Sequence, residues 1–142
     1  ENDDVAILKL LKDTLVKMEE GLSPIILTEI LELKLLDYLG VKPCIDCCSV
    51  CGSNKGIVTV DSRAGGYLCR ECYHNEPLVS DKMIKLLRMF YYVDIKSISK
   101  LEVRDSVALE INQFLDDYYD RYTGIYLKSK DFIKQLEKLG QG

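Results

Sequence analysis

The chain has 142 residues, of which 47% are hydrophobic and 30% are charged, and its formal net charge at pH 7 is -4. This length suits one domain with a real core and is too short for two ordinary domains, and the composition excludes a disordered chain. The mildly acidic balance argues against a strongly basic, phosphate-binding surface.

The first residues, ENDDVAILK, lack an initiator Met, and they lack both the basic start and the uninterrupted apolar run of a signal peptide. We therefore interpret the chain as a fragment of a longer cytoplasmic protein. The longest apolar stretch, residues 24–39, contains three acidic residues and a lysine, so the sequence predicts no membrane span.

Two helices are predicted before the first cysteine. The first covers residues 4–20 and is ended by Gly21. Four of its side chains repeat at spacings of three and four and are expected to face the core: Leu8, Leu11, Leu15 and Met18. The second covers residues 24–39, with Ser23 as its cap. It is apolar around most of its circumference, which predicts a position at the centre of a helical bundle.

Short, turn-rich segments replace the helical pattern between residues 44 and 77. The β-branched run at residues 56–60 predicts a strand, residues 61–66 predict a turn, and Tyr67 begins the returning strand. The sequence therefore predicts a small β-hairpin inserted between helices.

Helical periodicity resumes after Ser80. A further long helix is predicted from Ser99 to Gly124, because Ser99 and Glu102 have the spacing of a capping box. A last short helix is predicted over residues 130–139.

The predicted fold is therefore mainly α. We expect a single helical domain over residues 1–142, built as a bundle of about five helices. A four-cysteine zinc ribbon is expected to be inserted at about residues 44–77.

The zinc prediction depends on the spacing of the cysteines. A structural zinc site takes four tetrahedral ligands, and each Cys-x-x-Cys turn brings two thiolates towards one ion. Two such turns, with 17 residues between them, supply the predicted ligands: Cys48, Cys51, Cys69 and Cys72.

A competing Cys-x-x-Cys motif, CIDC at residues 44–47, requires a choice of register. In zinc knuckles a glycine often follows the second cysteine, where the chain turns back under the metal. Gly52 follows CSVC in this way, whereas another cysteine follows CIDC. We therefore interpret Cys44 and Cys47 as spare thiols.

Four thiolates would close the coordination shell, so we expect one structural zinc ion and no catalytic metal. Three alternatives stay open. The metal could be iron, the cysteines could serve disulfide or redox chemistry, and His74 could replace one of the ligands. We find no Gly-rich phosphate loop and no Ser/His/Asp set, so the sequence does not predict an enzyme.

Contacts with nucleic acid are predicted most readily near Ser129, where lysines flank a predicted helix N-terminus. The candidates are Lys128, Lys130 and Lys134. Most tyrosines have the spacing of core residues, so we expect them to pack and not to stack on bases. Lys82, Lys85 and Arg88 are interpreted as a solvated helix face.

Beyond these patterns, four stretches together resemble one family: LKLLDYLG at residues 33–40, CSVCG at 48–52, GGYLCREC at 65–72 and FLDDYYDRYTGIYLKSKDF at 114–132. They resemble the C-terminal region of the bacterial DNA repair family RecO. In that register Cys44 and Cys47 fall at positions that the family does not use as ligands.

The resemblance implies a helical, zinc-containing domain whose parent protein also has an N-terminal OB-fold, which we do not find in this chain. It implies a recombination mediator in DNA damage and SOS repair that binds single- and double-stranded DNA, anneals strands and works with RecR and SSB to load RecA. We expect an apolar groove on the first two helices, with lysines at its rim, to take the acidic tail of SSB.

The sequence is also compatible with two other hypotheses about function. One is a zinc-ribbon DNA-binding module of the transcription or replication machinery, although the hairpin offers only Lys55, Arg63 and Arg70 as basic residues. The other is a thiol switch at Cys44 and Cys47, which predicts an exposed thiol of low pKa.

Overall fold

The computed structural model describes residues 2–125. Four α-helices and one antiparallel hairpin follow in chain order: α1 Asn2–Glu19, α2 Pro24–Tyr38, β1 Ile57–Asp61, β2 Gly66–Cys69, α3 Asp81–Tyr92 and α4 Asp105–Thr123. A single 3-10 turn, Ile95–Ser97, separates α3 from α4. The mainly α prediction with an inserted hairpin is confirmed, and the helix predicted at residues 130–139 lies outside the described residues.

Helix α2 is the centre of the bundle, as its apolar circumference predicted. It contacts α1, α3 and α4, and Leu27, Ile30 and Leu33 are fully buried. Its start also follows the sequence, because the Ser23 hydroxyl accepts a hydrogen bond from the Ile26 N–H at 3.3 Å and Pro24 occupies the first turn.

The predicted inward face of α1 is wrong for three of its four residues. Leu8 and Leu15 are 65% and 59% exposed, and Leu11 is also exposed. The face towards the core instead carries Leu10, Thr14 and Met18, and it packs on α2 and the 3-10 turn. Helix α1 has two apolar rows, and spacing alone does not say which row meets the bundle.

The predicted start of the long helix at Ser99 is also wrong. Residues 99–104 have no helical structure, and α4 begins at Asp105 without a side-chain cap. Leu101 and Val103 are partly buried against the core, whereas the neighbouring Glu102 is exposed. This alternation requires an extended backbone, and it overrides the local capping signal. Gly124 ends α4 in the left-handed conformation, as predicted.

The hairpin has one β-bulge. Thr59 pairs with Leu68 and Ile57 pairs with Cys69, so an extra residue lies between the two pairs on β1. Residues 62–65 form the turn. The strand and turn predictions for this region are confirmed.

The hairpin is joined to the bundle by the segment that precedes it. The Cys44 N–H donates to the Gly65 carbonyl at 2.9 Å, and the Tyr67 N–H donates to the Cys44 carbonyl at 2.8 Å. The next residue, Ile45, is fully buried in the helical core. The segment therefore contacts β2 through its backbone and the bundle through a side chain.

Between residues 2 and 125, no helix has both the length and the apolar character that a membrane crossing requires.

Gly66 should tolerate no side chain. Its φ is +149°, and a Cβ atom there would lie 2.1 Å from the Cys44 carbonyl oxygen. We expect Gly66→Ala to lower the free energy of unfolding by roughly 2–4 kcal/mol, measured by urea denaturation.

Gly65→Ala is the matched control. Gly65 also has a positive φ, +87°, but the nearest atom to an added Cβ is the Tyr122 hydroxyl at 3.9 Å. Its cost should therefore be backbone strain alone, about 1–2 kcal/mol. Equal losses in the two variants would contradict the proposed importance of the close contact.

Candidate metal centre

Four thiols meet at the end of the hairpin. Cys48 and Cys51 lie in the loop before β1, Cys69 ends β2, and Cys72 lies in the following turn. Their sulfur atoms all lie within 4.8 Å of one another. The structure therefore brings together the four cysteines that the sequence predicted as ligands.

The spacing of these sulfurs suits a tetrahedral ion. Thiolates at about 2.3 Å from a zinc ion lie about 3.8 Å from one another in a tetrahedron. The Cys51 and Cys69 sulfurs are 3.6 Å apart. The residues present therefore fit a metal ion bound by four thiolates.

The two turns place their thiols through their own backbone hydrogen bonds. The Gly52 N–H donates to the Cys48 carbonyl at 2.9 Å, and Gly52 has a φ of +80°. In the second turn the Cys72 N–H donates to the Cys69 carbonyl at 3.1 Å. The positive φ of Gly52 is the conformation that the choice of register assumed for the residue after the second cysteine.

Burial differs across the cluster. Cys48 and Cys69 are buried and share a small apolar cluster with Leu68, whereas Cys72 is half-buried and Cys51 is exposed. A metal ion bound here would thus be reachable from the side of Cys51, and a chelator would have access to it.

The backbone around Cys48 favours its thiolate. Burial raises the pKa of Cys48, but the backbone N–H groups of Cys51, Cys69 and Val50 outweigh burial and lower that pKa to about 6. The pKa of Cys72 is raised to about 12, first by its hydrogen bond with Cys69 and then by burial. Metal binding must therefore displace protons from thiols such as Cys72, and its affinity should rise with pH.

The two other cysteines form a separate pair. The Cys44 and Cys47 sulfurs are 3.6 Å apart, and both residues are half-buried. The hydrogen bond with Cys44 is the main cause that raises the pKa of the Cys47 thiol. The exposed, low-pKa thiol that a switch at this pair predicted is therefore not found at Cys47.

His74 follows the simpler expectation, whereas the tyrosines follow it only in part. The His74 Nδ1 atom lies 2.8 Å from the Cys72 carbonyl oxygen, and His74 does not belong to the cluster of possible ligands. Tyr118 and Tyr119 are buried, whereas Tyr92 is 55% exposed. Core packing thus accounts for some tyrosines only. The candidate contact residues Lys128, Lys130 and Lys134 lie outside the described residues.

Sequence reasoning missed a charged cluster beside the cysteines. The Asp46 carboxylate accepts hydrogen bonds from Arg88 and from the Tyr92 hydroxyl, the latter at 2.7 Å, and Lys42 lies 3.7 Å away. The Tyr92 hydrogen bond is the main cause that holds the pKa of Asp46 below its ordinary value. Arg88 and Tyr92 are more than forty positions away in sequence, so no local pattern could have predicted these contacts.

The fold and site together define a class of protein: a helical bundle carrying a hairpin with a four-cysteine metal-binding cluster. The profile of the family described as "Recombination protein O C terminal" matches residues 1–131. The chain therefore belongs to the RecO C-terminal family.

Curated relatives agree with this assignment. The chain is 36% identical over 136 residues to the DNA repair protein RecO of Bacillus pumilus (strain SAFR-032), a match that covers 94% of this chain and 53% of the relative. It is 36% identical over 135 residues to the proteins of the same name from Bacillus cereus (strain B4264) and Bacillus mycoides (strain KBAB4), covering 93% of this chain and 54% of each relative. The chain thus spans about half the length of these relatives. No solved structure matches it.

Replacing one predicted ligand should remove the metal. We expect Cys69→Ser to reduce bound metal to a small fraction of the level in the unchanged protein, measured by elemental mass spectrometry. Loss of several kcal/mol of binding energy should lower the unfolding temperature by more than about 10 °C, and a chelator should have the same effect on the unchanged protein.

Cys44→Ser is the matched control, because it removes one thiol from a Cys-x-x-Cys motif outside the cluster. It should keep its metal. If Cys44→Ser lost metal as Cys69→Ser does, the chosen register of ligands would be wrong.

Proposed function

We propose that the chain is the C-terminal part of a bacterial, cytoplasmic DNA repair protein of the RecO type, a recombination mediator without catalytic activity. The observation that carries this proposal is the family match, which extends over nearly the whole chain. The name shared by the relatives, DNA repair protein RecO, supports the same role.

The ligands of the metal are proposed to be Cys48, Cys51, Cys69 and Cys72, and the metal is proposed to be one zinc ion with a structural role. Four sulfur ligands in a tetrahedral arrangement are typical of structural zinc and leave no open position for water. When bound, zinc would supply a fixed junction between the two Cys-x-x-Cys turns. The elemental analysis of the unchanged protein also identifies the ion, and iron would contradict this proposal.

The domain organisation is proposed to be a single helical domain over residues 1–142, with the zinc ribbon at about residues 44–77. In the longer protein we propose an N-terminal OB-fold. The match to about half of each relative leaves room for such a domain in those proteins.

We propose that the longer protein binds single- and double-stranded DNA, anneals strands, and acts with RecR and SSB in loading RecA. The alternative of a DNA-binding ribbon from the transcription or replication machinery gains no support from the hairpin. Its exposed basic residues are few, namely Lys55, Arg63 and Arg70, and ribbons that bind DNA directly need clustered positive charge.

DNA contact by this chain is proposed to use Lys128, Lys130 and Lys134. We expect the chain to bind a labelled single-stranded oligonucleotide at low salt, with an affinity that falls steeply as salt rises, measured by fluorescence anisotropy. Replacing all three lysines by alanine should reduce the slope of log affinity against log salt by about 2.

The control replaces three exposed lysines elsewhere, Lys55, Lys85 and Lys96, and changes the net charge equally. Its salt slope should stay close to that of the unchanged chain. Equal losses in both triple variants would indicate a general charge effect. Failure of the unchanged chain to bind at low salt would assign DNA contact to the rest of the protein.

Helix α1 is the proposed contact surface for SSB. The core position of α2 buries most of its apolar residues, but α1 exposes Val5, Leu8 and Leu15 along one side. Lys9 and Lys12 are exposed beside them. An exposed apolar row beside positive charge suits a peptide that is acidic and ends in an apolar residue.

An SSB tail peptide should therefore shift NMR resonances of α1. The double variant Leu8→Ala with Leu15→Ala should weaken the affinity for the peptide by about tenfold, because two leucines that the peptide would partly bury are lost. The control Leu109→Ala changes an exposed leucine on α4 and should leave the affinity unchanged. Absence of any shift in the unchanged chain would rule out this contact.

A further inference from the structure

We propose that Cys44 and Cys47 are a redox modification site, separate from the metal centre, that forms a reversible intramolecular disulfide. The proposal goes beyond the repair role and does not depend on it. Two observations carry it: the sulfurs are 3.6 Å apart, and neither residue belongs to the group that can hold the metal.

Backbone hydrogen bonds fix both ends of the segment that carries the two thiols. Cys44 is fixed against β2 by the hydrogen bonds to Gly65 and Tyr67. At the other end of the motif, the Cys48 N–H donates to the Ser53 carbonyl at 2.7 Å. Both ends of this short loop are therefore tied, and the Cys44 sulfur also contacts the Cys47 carbonyl at 3.2 Å.

Closing the bond needs only a small movement. A disulfide bond is about 2.05 Å long, so the sulfurs, now 3.6 Å apart, must approach by roughly 1.5 Å. Rotation of two cysteine side chains can supply such a movement. The site is thus defined by the proximity of two thiols, which distinguishes it from a switch built on one acidic thiol.

The oxidant class is a hydroperoxide, such as hydrogen peroxide. With hydrogen peroxide, one thiol sulfur attacks a peroxide oxygen, so that an S–O bond forms and the O–O bond breaks, and the departing hydroxide takes the thiol proton and leaves as water. The second thiol then attacks the resulting sulfenic acid, forming the S–S bond and releasing a second water. The two thiols lose two electrons and two protons in total, and a dithiol reductant reverses the change by exchange.

The residues between the two thiols give the modification a structural consequence. Ile45 is fully buried among the helices, and Asp46 contacts Arg88 and Tyr92 of α3. The loop closed by the disulfide therefore contains contacts that join the segment before the hairpin to α3. Oxidation would restrain this junction without using a proposed metal ligand.

The test treats the purified, metal-loaded full chain with hydrogen peroxide. Free thiols are then alkylated in denaturant with a chelator and counted by intact mass, and a digest locates any disulfide. The reduced chain should take six labels, one for each cysteine. The oxidised chain should take two fewer, with the disulfide in the peptide that contains residues 44–47, and a dithiol should restore all six. Bound metal, measured in the same samples, should not change.

Cys44→Ser and Cys47→Ser are the paired controls, and each should lose no further labels under the same treatment. Three results would overturn the proposal: no disulfide after treatment, a disulfide that includes a cysteine of the metal cluster, or thiol loss that a dithiol does not reverse. Metal content and DNA binding are read separately, so a failure of this proposal is distinguishable from a failure of the zinc or repair proposals.

Discussion

The close approach of the Cys44 backbone to Gly66 is the constraint on which the arrangement of hairpin and bundle depends. The bridge between the two residues fixes β2 against the segment that leads out of α2. Because the contact is between two backbones, it requires the absence of a side chain at Gly66. From this contact, Ile45 enters the helical core on one side, and Cys48 begins the metal cluster on the other.

Tyrosine hydroxyls of β2 and α4 reinforce the packing of the hairpin and the helices. Tyr67 of β2 donates to the Ile84 carbonyl, Tyr118 to the Val41 carbonyl and Tyr119 to the Glu32 carbonyl, at distances between 2.5 and 2.7 Å. Burial is the main cause that raises the pKa of Tyr67 and of Tyr118 to about 12, so both remain neutral donors at physiological pH. Each ring fills the core while its hydroxyl satisfies a backbone carbonyl of another segment.

The sequence indicated the parts of this structure that depend on local chemistry. The positive φ of Gly52 follows from the turn after the second cysteine, and the cap at Ser23 follows from the helix start signal of Ser23 and Pro24. The face of α1 and the start of α4 depend on packing between distant segments, and there the local patterns misled. The capping signal at Ser99 is overridden by core contacts of Leu101 and Val103. A contact between distant residues is found at Ser80, at the start of α3, whose N–H and hydroxyl donate to the Glu110 carboxylate of α4.

The hairpin has little core of its own, and a metal ion held by the four cysteines would cross-link it. Its own buried apolar cluster consists of Cys48, Leu68 and Cys69. The bundle also holds the ribbon, because Ile45, Val60 and Tyr67 are buried in the main core. An ion shared by the two Cys-x-x-Cys turns would add a cross-link between those turns. On this view a bound metal would order the surface of the ribbon. A partner would then be recognised by the side chains on that surface and not by the metal.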